Sequence, residues 1–353
     1  MKRSFLLVLL CAWSVAACSS EVEAPAGNSP YPLHLSDWGL FEGTGATQIP
    51  AEGVVPYQVA STLFADFSSK HRFIRLPEGG RIGYDNEAVW DFPVGTVLVK
   101  TFSYLHDLRD PSLGEDIVET RLIIREEAGW NAITYLWNAE ETEASRVAIG
   151  ASVHVEWTDM AGALRTLEYR VPTNAQCRTC HGGSGAVTPL ALRTRQMDRL
   201  NNYGSGDINQ IDHMATLGMF DVAPPAESDR PNLVGPFGAG DLDARVRSYF
   251  DANCAHCHHD GGAASASGLW LNWEQQGPQH QGVCKRPPAA GPGTCDLDFD
   301  IVPGDPEHSI MICRVASEVP DIKMPELPTQ LHDPAGLALL TEWIAAMPAD
   351  NCE

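Results

Sequence analysis

Between residues 96 and 157 the apolar positions recur in short β-branched or aromatic runs, not at helical spacing. Residues 96–102, 119–125, 133–137 and 152–157 are each of strand length and bounded by turn residues. Gly79-Gly80 and Glu127-Ala128-Gly129 read as turn centres. Several strands with no long helix between them predict a β-rich, sandwich-like domain over residues 34–172.

The pattern then changes. Residues 190–200 and 207–217 are rich in helix formers and are separated by Gly204-Ser205-Gly206, so residues 173–220 read as a short helical segment. Pro224-Pro225 and Pro231 mark residues 221–240 as a linker. Beyond it, Asp243 is placed to cap a helix through Ala244, Val246, Tyr249 and Phe250 into Cys254. Asp333 and Pro334 open a terminal helix with Leu337, Leu340, Ile344 and Met347 on one face. Residues 241–353 are therefore expected to form one all-α domain, making the chain an α+β multidomain protein.

The N-terminus reads as an export signal. Lys2 and Arg3 precede the apolar run from Phe5 to Trp13, too short to span a bilayer, which needs ~20 apolar residues. The run ends in Val15-Ala16-Ala17-Cys18, which resembles a bacterial lipobox, with residues 1–17 removed and Cys18 lipid-modified. Residues 18–33 are a Pro/Gly/Ser-rich tether. Ser19 and Ser20 after the cysteine resemble outer-membrane sorting, so the expected location is the periplasm, anchored to the outer membrane.

Charge narrows the partners. The 353 residues carry 24 Lys and Arg against 46 Asp and Glu, a net charge of −22. That balance excludes nucleic acid and anionic lipid as natural partners, since both would be repelled.

The ten cysteines decide the chemistry. Cys177-Arg178-Thr179-Cys180-His181 and Cys254-Ala255-His256-Cys257-His258 are both Cys-x-x-Cys-His, the spacing of a c-type haem attachment site. With ten Cys and twelve His in this length, chance supplies roughly 0.01 such matches. Cys177, Cys180, Cys254 and Cys257 would bind the vinyl groups of two haems, and His181 and His258 would ligate the irons. For the second haem, Met324 in Lys323-Met324-Pro325-Glu326 is the expected distal ligand, a soft thioether that raises the potential. For the first haem the candidates are Met197, His213, Met214 and Met219, with Met219 preferred and an open, five-coordinate iron as the alternative. His256 and His259 are expected to be solvated.

Four cysteines remain in the body: Cys284, Cys295, Cys313 and Cys352. An even number in an oxidising compartment predicts two disulfides, preferentially Cys284–Cys295 and Cys313–Cys352. None of the four lies in a short Cys-x-x-Cys pair, which argues against zinc.

The C-terminal segment resembles class I cytochrome c domains, and most of the mature chain resembles a bacterial family of di-haem c-type cytochromes. The matching stretches are Leu35-Ser36-Asp37-Trp38-Gly39-Leu40-Phe41, the run from Asp91 to Phe102, Asn174-Ala175-Gln176, Ile301-Val302-Pro303-Gly304-Asp305-Pro306 and Met324-Pro325-Glu326-Leu327. The His213-Met214 pair departs from that pattern, where a bulky or aromatic residue is expected.

The expected function is one-electron transfer between periplasmic and outer-membrane redox partners, a carrier rather than a catalyst. A di-haem peroxidase or oxidase working through a five-coordinate first haem is the alternative, with Glu119, Arg121, His106 and His154 as its potential acid–base groups. A third reading makes the β domain a docking module.

Overall fold

Six strands form one antiparallel meander in which each pairs directly with the next along the chain. They are β1 (Val54–Pro56), β2 (Ser69–Arg75), β3 (Val97–Leu105), β4 (Glu115–Glu126), β5 (Gly129–Trp137) and β6 (Ala144–Val147), in the order β1-β2-β3-β4-β5-β6. The connections range from the two-residue β4–β5 turn to the 21 residues between β2 and β3. The computed structural model describes residues 29–182, 187–204, 206–275, 277–288, 291–327 and 329–353. The β4–β5 turn falls at Glu127-Ala128, with Gly129 at φ 133°, a backbone region that only glycine enters freely.

Both faces of this sheet are covered, which is why Val97, Leu98 and Val99 are buried in succession. On one face Val54, Phe73, Val97, Val99, Leu122 and Ile124 pack with Leu35 and Leu40 of the N-terminal loop. On the other, Ile74 and Leu98 pack with Leu192, Met197, Ile211, Met214 and Phe220. A second antiparallel pair, β7 (Ala151–Thr158) and β8 (Leu164–Val171), sets Val155, Trp157, Tyr169 and Val171 against Tyr104 and Val118 at one end of the sheet. The sandwich-like expectation is corrected accordingly. The six-stranded sheet is covered by loops and by the segment after the first motif, and the second sheet is a two-stranded ribbon at its end.

The helices are few and short. They are α1 (Asn174–His181), α2 (Thr194–Met197), α3 (Gln210–Thr216), α4 (Leu242–Asn253), α5 (Ile310–Ala316) and α6 (Pro334–Ala346). The helix expected over 190–200 shrinks to one turn. Leu192 O accepts from Trp90 N at 3.0 Å and Arg193 bridges Val89, so pairing with a distant strand-like segment overrides local propensity. Residues 207–209 form β10, paired with β9 (Leu200–Asn202), before α3 begins. Asp241, not Asp243, caps α4 by accepting from Ala244 N; Asp333 caps α6 as expected.

The expected all-α cytochrome c-like domain at the C-terminus is also corrected. The ordered secondary structure of the chain is mainly β. Between α4 and α6 the described residues hold only the seven-residue α5 and single 3-10 turns. Pro287, Pro288, Gly291, Pro292 and Gly293 deny that stretch helical backbone bonds, and disulfides and bridges such as Val283↔Ile301 order it instead. α4, α5 and α6 share a small core of Val246, Phe250, Met311, Leu340, Trp343 and Ile344.

Two disulfides form, but with different partners from those expected: Cys284–Cys352 and Cys295–Cys313. Gly304 N donates to Ile344 O at 2.9 Å, tying the end of α6 to the 301–304 strand-like stretch. Cys284 N donates to Ile301 O on the same stretch, so the tail's Cys352 arrives beside Cys284. No described helix is long and apolar enough to cross a membrane.

Candidate cofactor site at the paired Cys-x-x-Cys-His segments

The first motif lies on α1. A capping box fixes the helix start: Thr173 Oγ1 accepts from Gln176 N, and Gln176 Oε1 accepts from Thr173 N. Cys177 and Cys180, three apart, then share a face. His181 ends the helix, and its Nδ1 lies 2.8 Å from Thr188 O. A carbonyl oxygen only accepts, so Nδ1 carries the proton and Nε2 presents a lone pair, the arrangement of an oriented metal-ligating imidazole. Burial pulls His181 down to about 4, which keeps the ring neutral.

The second motif follows α4 directly. Cys254 N donates to Phe250 O, and His258 N donates to Cys254 O at 2.9 Å, winding the five residues into a tight turn. His258 Nδ1 faces Ser267 Oγ at 3.3 Å, and burial pulls this imidazole down to about 4 as well. The four motif thiols are unbridged. Burial pushes Cys254 up to about 12, and a hydrogen bond with Cys257 together with burial does the same for Cys180. Both therefore persist as neutral thiols.

Folding brings the two motifs together. The ligating atoms of Cys180, His256 and Cys257 all lie within 4.8 Å of one another. They meet because the β-rich part and the C-terminal helices are stitched at several points. Asn253 Oδ1 accepts from Phe64 N, Asp251 pairs with the buried Arg195 at 3.0 Å, and Asp66 accepts from Gln330 N and Leu331 N.

Beside the junction lies a cavity of about 1030 Å³. Cys177, Cys180 and His181 line it together with His256 and His259; Ile123 of β4, Trp130 of β5 and Phe92 of the β2–β3 connection add an apolar wall. Ligand pockets typically measure about 300–1,000 Å³ and are mostly apolar with a few convergent polar groups. The thiols, the neutral imidazole, the apolar and aromatic wall and the volume fit a covalently attached porphyrin.

The other expected site residues distribute unevenly. Met197, Met214 and Met219 are 0%, 0% and 6% exposed inside the core beneath the sheet, and His213 stacks on Tyr203 at 3.7 Å. None of these four is among the described residues that line the cavity. Met324 sits on the α5–α6 loop, its N–H donating to Arg314 O, next to Glu326 and Leu327, which do line the cavity. His106 and His154 are exposed, paired with Asp116 and with Glu156 and Glu168, and neither lines the cavity. Cys18 lies outside the described residues.

His256 and His259, expected to be solvated, are half-buried and line the cavity. Sequence reading missed Arg72 and Lys100 and named Arg121 only for the alternative enzyme; the three line the cavity from β2, β3 and β4. Lys100 and Arg121 each sit inside a strand run read from the sequence, whereas 69–75 was not read as a strand, and only strand register reveals that the three converge.

Comparison with protein-family models, curated proteins and solved structures finds no match. The motifs and the cavity carry the functional argument unaided.

Proposed function

We propose that the chain is an exported di-haem c-type cytochrome that passes single electrons between redox partner proteins. The observation that carries this reading is the meeting of the two Cys-x-x-Cys-His segments, with Cys180 and Cys257 among ligating atoms within 4.8 Å of one another. Cys177, Cys180 and His181 would hold one haem, and Cys254, Cys257 and His258 the other, with Met324 as the second iron's distal ligand. When bound, each haem supplies a reversible one-electron couple. The protein's own part is ligation by two neutral, hydrogen-bonded imidazoles, exclusion of water by the apolar wall, and proximity of the two attachment points.

The export signal and lipidation at Cys18 belong to the same proposal and place the protein in the periplasm at the outer membrane. The acidic net charge of −22 suits a basic redox partner, with association weakening as salt rises.

One observation favours a second reading. Beside His181 the cavity is roomy, and Met197, His213, Met214 and Met219 lie elsewhere. A first iron left five-coordinate would suit a peroxidase or oxidase.

Mass spectrometry tests the attachment, and optical spectra with carbon monoxide or peroxide separate the two readings. Two haems per chain, low-spin and indifferent to both ligands, are expected of the carrier. A high-spin fraction that binds carbon monoxide and consumes peroxide transfers the case to the enzyme. Unmodified cysteines end both. Met324→Ala should lower the potential of one haem only; an unchanged pair of potentials removes Met324 from the ligand set.

A further inference from the structure

We propose that Arg72, Lys100 and Arg121, a row of three cations running across β2, β3 and β4 on the cavity floor, form a carboxylate-binding site. Strand register builds the row: Arg72 is directly opposite Lys100, and Lys100 is directly opposite Arg121. All three line the cavity that holds Cys177, Cys180 and His181. Like charges directly opposite on neighbouring strands destabilise a sheet, so three abreast call for a compensating anion.

The protein itself supplies little of one. Glu119 pairs with Arg121, and Tyr169 hydroxyl donates to the same carboxylate. Among the described residues Arg72 and Lys100 form no ion pair, although Arg72 is only 6% exposed. Around them stand more cations and neutral groups: Lys70, the Tyr57 hydroxyl, and the Phe102 ring, 4.9 Å from Lys100 Nζ and 4.2 Å from Arg121 Cζ. Burial and the neighbouring Arg72, Lys70 and Arg121 hold Lys100 well below the ordinary lysine range. Such a cluster in a chain of net charge −22 is a local exception to its composition. Two Arg and one Lys facing a cavity are donors suited to carboxylates, with Arg able to bind both oxygens at once.

Two sources have this chemistry: the propionates of a haem held at Cys177 and Cys180, and a small organic acid entering the cavity. Only the first rests on the function proposed above; the row itself does not.

The test uses the full-length exported protein, with mass spectrometry first reporting its haem content. Thermal midpoints are measured against succinate, with chloride at equal ionic strength as control, for wild type, Lys100→Met and Arg72→Met. If propionates fill the row, the haem-loaded wild type does not respond to succinate. Lys100→Met then lowers the first haem's potential and leaves the second's unchanged. If a free acid is the ligand, the haem-loaded protein is stabilised saturably by succinate, and either substitution weakens that binding at least tenfold. In Cys177→Ser/Cys180→Ser protein, which lacks only the first haem, succinate stabilises under both sources, and Lys100→Met raises the midpoint without succinate. The proposal is overturned if succinate has no effect on the loaded protein and neither substitution moves the first haem's potential. Material that carries no haem would refute the proposed function, and its succinate titration would still judge the row.

Discussion

The Cys180 and Cys257 thiols, from two separate motifs, face each other with sulfur atoms no more than 4.8 Å apart. Thioether formation with the proposed haems would keep such a pair separate; without haem, oxidising conditions would cross-link them. Haem-free protein held under oxidising conditions should therefore accumulate a Cys180–Cys257 disulfide, detectable as a linked peptide pair in a non-reducing digest. Cys180→Ser should remove that pair and leave Cys284–Cys352 and Cys295–Cys313 intact. Finding both thiols free in oxidised, haem-free protein would show that the two motifs do not meet.

The two structural disulfides should differ in weight. Cys284–Cys352 closes a loop of 68 residues and Cys295–Cys313 one of 18. Constraint of the unfolded chain grows with the logarithm of loop length, so the longer bridge is worth roughly 4 kcal/mol and the shorter about 3 kcal/mol on that model. Chemical denaturation of Cys284→Ser/Cys352→Ser against Cys295→Ser/Cys313→Ser should rank the first as the less stable. The reverse ranking would locate the stabilisation in the native state instead.

Lys70 gives the fold a defined response to alkali. Burial, with Arg72 adding repulsion, holds it down to about 7 from 10.5. Between those values the unfolded chain keeps a proton that the folded chain has released, so stability rises with pH across that window. Lys70→Met should be more stable than wild type near pH 7, and its advantage should shrink steadily toward pH 10. Unfolding free energies at pH 7, 8.5 and 10 check this; parallel curves for the two proteins would contradict it.

Gly336 on α6 faces the ring of Tyr249 on α4, and an added Cβ would fall on the ring and its hydroxyl. Tyr249 cannot withdraw freely, because its hydroxyl donates to Asp333, the cap of α6, at 3.1 Å. Gly336→Ala should cost about 1–3 kcal/mol from overpacking, despite a helix-propensity gain of about 1 kcal/mol. Gly336→Ala/Tyr249→Leu should recover part of that loss. A stabilised single variant would mean that α4 and α6 separate more easily than their packing indicates.

Local chemistry was legible in the chain. A Cys-x-x-Cys-His segment is complete within five residues, the strand runs of β3, β4, β5 and β7 follow from adjacent β-branched and aromatic side chains, and the Asp333-Pro334 start of α6 needs only its own first turn. The helix expected over 190–200 fails for the opposite reason: its backbone bonds go to Trp90, far away in sequence.

The amino-acid order alone thus determined where β3, β4, β5 and β7 run, where α6 starts, and that four further cysteines would pair. Tertiary structure alone decided that Cys284 meets Cys352, that the C-terminal segment is mostly irregular, that His256 lines the cavity, and that Arg72, Lys100 and Arg121 stand abreast. The physical reason is range. A motif is set by neighbours along the chain, whereas partner choice and strand register depend on which distant surfaces bury each other, and one residue of slip would turn every side chain of a strand to the opposite face.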